Sequence, residues 1–280
     1  MRNTIIKLFK KNMALGFTIA FAIITLILWL CSVDEIDFSD LWLNLLAGFI
    51  ATICTITIID SNLRKQKEKE DIPIRLALYR DVQLLASRII CLWQEMYEQC
   101  NSSRKEILID DLFSETEIGY IYENLDLEGI PNVIPARNWY IYIVENATDF
   151  KQRGNRILDR YVSLAEPELF QAIHYLVNDS VFCERLLFIQ TIKHTDACEK
   201  IPRVPLLKNY VYKPTEKDFE SIRIINNWCR ENYKKLSAGG NVYSIQERVV
   251  IMNPNVQPKS IMTQEKLEKC VTAFKLWQNK

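Results

Sequence analysis

Residues 13–33, MALGFTIAFAIITLILWLCSV, and 41–59, LWLNLLAGFIATICTITII, carry no charged side chain, and the rest of the sequence is organised around them. As helices they measure about 31 and 28 Å, close to the roughly 30 Å hydrocarbon core of a bilayer. Two such runs in succession predict a transmembrane hairpin rather than two core helices of a soluble fold. The first run is longer than the apolar region of a secretory signal, and a second span follows at once. It therefore reads as a retained helix.

The flanking charges orient the pair. Arg2, Lys7, Lys10 and Lys11 precede the first span, and Arg64, Lys65, Lys67 and Lys69 follow the second. Between the spans stand Asp34, Glu35, Asp37 and Asp40, with no Lys or Arg. Basic residues stay on the cytoplasmic side. The expected location is the cell inner membrane, two-pass, with both termini cytoplasmic and the acidic loop outside. Trp29 and Trp42 then fall at the outer interface, where indole rings prefer to sit.

Around the second helix, Asn44, Gly48, Ala51 and Thr55 share one side, opposite Leu46, Phe49, Ile50, Ile53 and Ile56. The first helix carries two small-residue faces, Gly16/Ala20 and Thr18/Ala22/Thr25. In lipid, apolar burial does not pull helices together, so small residues that admit close backbone approach mark packing sides. Two readings stay open: the faces pack the hairpin on itself, or one joins the hairpin and another builds a homo-oligomer. Asn44 lies one turn inside the interface, where its burial penalty is modest, and it implies no ion site.

The remaining sequence, about 215 residues, has room for one sizeable domain or two small ones. Its composition is rich in aliphatic, aromatic and charged residues and poor in glycine, which favours packed helices. The fold class expected is mainly α: the hairpin, a charged juxtamembrane connector at 63–73, and a cytosolic helical-bundle domain over 74–280 with at most a short β element. With 35 basic and 35 acidic residues the chain is neutral overall, so no sequence-specific nucleic-acid binding is expected. The eight cysteines are scattered without C-x-x-C spacing and read as reduced, mostly buried thiols.

Pro73 suits the first turn of a new helix. Along 74–100, Leu78, Val82, Leu85, Ile89, Leu92 and Met96 alternate spacings of four and three, an apolar seam suited to a bundle core more than to a free coiled coil. This helix should connect the membrane part to the domain. Ser114-Glu115-Thr116-Glu117 is a capping box, and 129–135 is a breaker-rich loop. A long helix over 137–164 buries Trp139, Ile143, Phe150, Ile157 and Tyr161, although Gly154 interrupts its pattern. Glu166-Pro167 starts another, breaking near 178–180 and continuing to Thr195. The proline-bearing stretch 196–214 reads as an extended surface connector. Thr215-x-x-Asp218 opens a helix that ends after Leu236 at Gly239-Gly240. The stretch 242–252 could form a short strand, and Thr263 caps a terminal helix with Leu267, Cys270, Val271 and Phe274 on one face.

Signatures of chemistry are few. His174 and His194 are the two histidines, each among apolar or aromatic neighbours suited to structural roles. No His/Cys/carboxylate group has metal-ligand spacing, and no phosphate loop, nucleophile elbow or H-E-x-x-H occurs. No catalytic residue, cofactor or metal is assigned. Glu184-Arg185 and Lys193-His194 could contribute to a pocket, and Trp139, Tyr140, Tyr142, Tyr210 and Tyr212 could stack on a base, but ordinary helix surfaces and core packing explain them more readily.

A cytosolic N-terminus, two closely spaced spans and a helical domain without enzyme motifs resembles the two-transmembrane effectors of bacterial anti-phage systems, including those accompanying retrons. The resemblance is one of architecture and rests on residues 13–59. It implies a cytosolic part restrained by, or sensing, a protein or ribonucleoprotein partner, and a membrane part that oligomerises and damages the inner membrane when released. A tethered scaffold or sensor, and a membrane-bound enzyme with an unrecognised site, are the alternatives.

Overall fold

Apolar residues at helical spacing become helices along most of the chain. The structure, a computed structural model, describes residues 13–31, 36–101, 107–237, 242–245, 248–249 and 259–279. The basic residues before 13, Asp34 and Glu35 of the acidic loop, Gly239-Gly240 and the run 250–252 lie outside them. The fold is mainly helical, and it divides into two units, Met1–Ile74 and Arg75–Lys280.

The first unit contains helix α1, Met13–Cys31, and the N-terminal part of α2, Ile36–Cys100. The two helices touch. The Phe21 and Phe49 rings stack with centroids 6.2 Å apart. Thr25 of α1 is buried, with Thr18, Ala22 and Trp29 half-buried along the same side. Of the two small-residue faces expected on α1, the one that meets α2 is therefore Thr18/Ala22/Thr25.

The Gly16/Ala20 face is not that contact. At 100° per residue Ala20 points about 140° around the helix from Thr25, so the two cannot face one partner. Ala20 is half-buried rather than buried, and Phe17, Ile24 and Ile27 on its side of α1 are exposed. Gly16 belongs to α1, but its surroundings lie outside the described residues. On α2 the covered side is Leu46, Phe49, Ile53 and Ile56. The expectation that the small side of α2 packs the hairpin on itself likewise does not describe this chain. Asn44, Gly48, Ala51 and Thr55 are not buried, and a Cβ on Gly48 would meet nothing within 4 Å. The reason is complementarity, since α1 already places small residues at the contact and the large residues of α2 fill the space.

Pro73 does not begin a helix but lies inside α2. Its missing N–H leaves one carbonyl without a helical donor, and its ring crowds the preceding turn. The charged stretch 63–73 connects the apolar run to the second unit as an extension of the same helix.

In the second unit, the predicted seam is the wall of the core. Leu78, Val82, Leu85, Ile89, Leu92 and Met96 are all buried. Trp93, on the same stretch, stacks on Tyr122 at 6.4 Å and meets the edge of Phe182 at 5.2 Å. Burying side chains of this size contributes about 1.5–3 kcal/mol each. After α2 come β1 (Ile107–Leu108), the short α3 (Ile109–Leu112) and α4 (Glu115–Asn124). Ser114 caps α4 by accepting from the Glu117 N–H, as its capping box predicts.

Helix α5, Trp139–Tyr161, begins at Asn138 and buries Trp139, Ile143, Phe150, Ile157 and Tyr161. It is shorter at both ends than 137–164 and passes through Gly154 unbroken. Helix α6, Pro167–Asn178, carries proline in its first turn, where the absent N–H is no loss. A 3₁₀ turn, Glu184–Leu187, leads into α7, Phe188–Glu199, which runs one turn past the expected end at Thr195 and stops at Lys200 in the left-handed conformation, φ 54°.

The stretch 200–215 is not the surface connector the prolines suggested. Leu206, Leu207, Tyr210 and Val211 are buried, and a 3₁₀ turn at Leu207–Asn209 packs on α4. Helix α8, Glu216–Leu236, packs on α6, which in turn packs on α5. At the start of α8 the buried Asp218 carboxylate accepts from Thr215 N–H at 2.7 Å, Ser180 Oγ at 2.7 Å and Val181 N–H at 3.0 Å. One side chain thus caps α8 and fixes the 180–181 turn beside it. Strand β2, Arg248–Val249, pairs antiparallel with β1, with Ile107 opposite Val249. Helix α9, Gln264–Gln278, is capped by Thr263.

Candidate functional site

One helical stretch among the described residues, Leu43–Leu63, is long and apolar enough to cross a membrane, and none of its residues is fully buried. It starts and ends later than 41–59, because α2 continues as a helix through Asp60 after the charge-free run stops. The described apolar stretch of α1, Phe17–Ile27, is shorter than a crossing needs, so a second span does not follow from length and composition here. Within Leu43–Leu63 the hydroxyls of Thr52, Thr55 and Thr57 donate to the carbonyls of Gly48, Ala51 and Ile53 at 2.7–2.8 Å. Each of these three threonines therefore satisfies its hydroxyl on its own helix, which lowers its cost in an apolar medium.

The second unit has a surface cleft on either side of α7. The first, about 610 Å³, lies between α5 and α7 and is walled by Tyr140, Ile141, Val144 and Ile189, with Lys193 and His194 at its edge. Lys193 sits 4.0 Å from the centroid of the Tyr140 ring and 3.7 Å from Glu128. Burial first, then the Tyr210 hydroxyl it contacts at 2.9 Å, raises the Tyr140 hydroxyl far above a phenol's ordinary range. This pair stays protonated and serves packing.

The second cleft, about 520 Å³, lies between the other side of α7 and residues 203–212. Arg185, Arg203 and Lys208 line it together with Phe188, Tyr210 and Tyr212. Arg203 grips the buried Asp196 carboxylate through Nε and Nη2, at 2.9 and 3.1 Å, and that bond holds its pKa up. Lys208 pairs with Glu123 at the surface. Arg185 donates from Nε to the Asp179 carbonyl at 2.8 Å.

The residues singled out for chemistry fall as follows. Trp139, Tyr140 and Tyr210 are buried in the core and Tyr142 is half-buried, whereas Tyr212 is exposed. Both histidines are exposed, and the His174 ring stacks on Phe170 with centroids 6.5 Å apart. His194 Nε2 lies 3.7 Å from Cys198 Sγ, one turn along α7. That pairing was visible as an i, i+4 spacing, but both residues are exposed and it defines no nucleophile; Cys54 and Cys91 are exposed as well, so the described thiols are not mostly buried as expected. Among the described residues no group of three or more His, Cys, Asp or Glu side chains could hold a metal ion.

A different polar cluster ties the C-terminal segment down. Lys266 Nζ reaches Asp126 Oδ2 at 2.7 Å and Glu128 Oε2 at 3.0 Å. Burial disfavours its charge, yet the two carboxylates outweigh burial and hold its pKa above the ordinary lysine value. Beside it, Trp139 Nε1 donates to Ser260 Oγ at 2.9 Å, and a Cβ on Gly129 would come within 2.6 Å of that oxygen.

No protein-family model, curated protein or solved structure matches this chain. Function is therefore read from the residues alone.

Proposed function

We propose that the protein is a membrane-anchored effector: α1 and the start of α2 insert as a two-helix hairpin, oligomerise and perturb the inner membrane, while Arg75–Lys280 senses a cytosolic protein or ribonucleoprotein. The observation that carries the reading is Leu43–Leu63, an apolar helix with no residue fully buried, which water would solvate poorly. The contact of α1 with α2 through Phe21 and Phe49 supports a paired insertion. The basic residues outside both apolar runs support cytoplasmic termini. The resemblance to anti-phage effectors adds the partner and the trigger. The apolar cleft between α5 and α7 is the surface on which a partner helix would find a groove.

The test is induced expression with a membrane-potential dye, beside a chimera in which residues 1–62 are replaced by an unrelated two-span hairpin. The effector reading expects depolarisation with the natural hairpin and none with the chimera, at equal membrane-bound protein. Full activity of the chimera would reduce the hairpin to a tether. A reporter fused after Lys280 should be active only in its cytosolic form, and a cysteine placed at Ser39 should label from outside.

A further inference from the structure

We infer that the cleft between α7 and residues 203–212 binds a nucleotide, its base stacked on Tyr212 and Phe188 and its phosphate held by Arg185 and Lys208. Two large rings stand in water at the mouth of this cleft: Tyr212 is 78% exposed and Phe188 49% exposed. Tyr212 is not a loose tail. Its backbone carbonyl accepts from the buried Tyr122 hydroxyl at 3.0 Å, so a ring fixed at its root is held out toward solvent. Such a ring offers a π-face that any base can use.

The cations beside the rings differ in how far they are committed. Arg203 is spent on Asp196 in a two-bond fork and forms wall rather than ligand contact. Arg185 is oriented by the Asp179 carbonyl, its guanidinium carbon is 6.0 Å from the Tyr212 centroid, and among the described residues no carboxylate pairs with it. A planar guanidinium so placed can pair with a phosphate at the edge of a stacked base. Lys208 holds Glu123 across a surface where both side chains are more than a third exposed. An ion pair of that kind is worth little, and a phosphate carrying more charge can take its place. The cleft volume, about 520 Å³, lies in the range of small-ligand sites and suits one nucleotide, not a duplex.

The inference concerns Arg75–Lys280 alone and stands whether or not the apolar helices enter a bilayer. Its test uses the full chain in detergent micelles, titrated by calorimetry with ATP, GTP, CTP and UTP, with the four corresponding nucleosides and inorganic triphosphate, and with a short single-stranded oligoribonucleotide. At least one nucleoside triphosphate should bind about tenfold more tightly than either of its halves. Tyr212→Ala should weaken it about tenfold, and Arg185→Gln should do likewise while flattening the salt dependence. Val162→Ala, at an exposed site after α5, should change nothing. Because Tyr212 is so exposed, its variant should melt with the parent.

Tighter binding of the oligoribonucleotide, with the same two dependences, would identify the ligand as a nucleotide unit within a strand. The inference is overturned if neither nucleotides nor the oligomer saturate the folded protein, if Tyr212→Ala binds as well as the parent, or if triphosphate alone matches the nucleotides. Capture of polyglutamate in place of nucleotides would likewise overturn it and point to an acidic peptide.

Discussion

Gly154 sits inside α5, where glycine weakens a helix by about 1 kcal/mol relative to alanine. Its presence answers to the neighbouring helix. A Cβ there would lie 2.1 Å from Val177 Cγ1 of α6, and valine has few rotamers to retreat into. Gly154→Ala should therefore lower stability by about 1–2 kcal/mol net, the overpacking exceeding the gain in helix propensity, as a thermal melt of the full chain would read. Glu95 is a second pointed case. Burial, aided by Glu98, raises its pKa above the ordinary value of 4.5, against the pull of the Tyr142 hydroxyl that donates to it at 2.7 Å. In the window above that ordinary value the folded state binds the proton more readily than the unfolded state, so this group's contribution to stability falls as pH rises through its folded pKa. Glu95→Gln keeps an acceptor for Tyr142 and removes the charge. Its melting temperature should exceed the parent's at neutral pH, and the gap should close as pH falls toward the ordinary carboxyl value of 4.5.

At the level of elements, the seam of α2 carries the strongest expectation. Leu85 is fully buried among the core residues of the second unit. Leu85→Asp should cost about 3–5 kcal/mol and leave a poorly folded or aggregated chain, and an unchanged melt would remove the seam from the core. The seam was legible because its signal is local: six apolar residues at helical spacing on one stretch. The same holds for the caps at Ser114, Thr215 and Thr263, where the capping residue and its partner sit three positions apart. What escaped was non-local. Small residues marked two candidate faces on α1, but only the position of α2 decides that Thr25 is covered and that Ala20 lies off the contact. The prolines at 202, 205 and 214 signalled an irregular backbone correctly, yet nothing in them says that Leu206, Leu207 and Tyr210 turn inward onto α4. Likewise the two clefts join residues near 140, 190 and 210 around α7, a meeting that no window of sequence contains. The charges on Arg185 and Lys193 pointed to a pocket only loosely, since helix surfaces everywhere carry such pairs.

For the molecule as a whole, the open side of α2 offers the most discriminating experiment. With nothing within 4 Å of a Cβ on Gly48, the single chain has room for a larger side chain there. Gly48→Leu should thus leave the α1–α2 contact intact and should still insert, because it adds apolar surface. A fall in crosslinked oligomers and in depolarisation would report a contact made by a second copy. Ile53→Leu, which changes only the shape of the covered side, should be mild. Equal oligomer yield from the Gly48 variant would remove that side from any assembly interface.

The hydrogen bond from Trp139 to Ser260 spans 121 residues, and that from Tyr79 to the Tyr243 carbonyl spans 164. A ribosome releases the chain from its N-terminus, so the apolar helices emerge long before Tyr243 and Ser260 do. The Ser260 side chain that packs against Gly129 reaches that loop only after residue 260 has left the ribosome. A nascent chain stalled before Ser260 would thus already expose its apolar helices while Arg75–Lys280 still lacked the partners of Trp139 and Gly129.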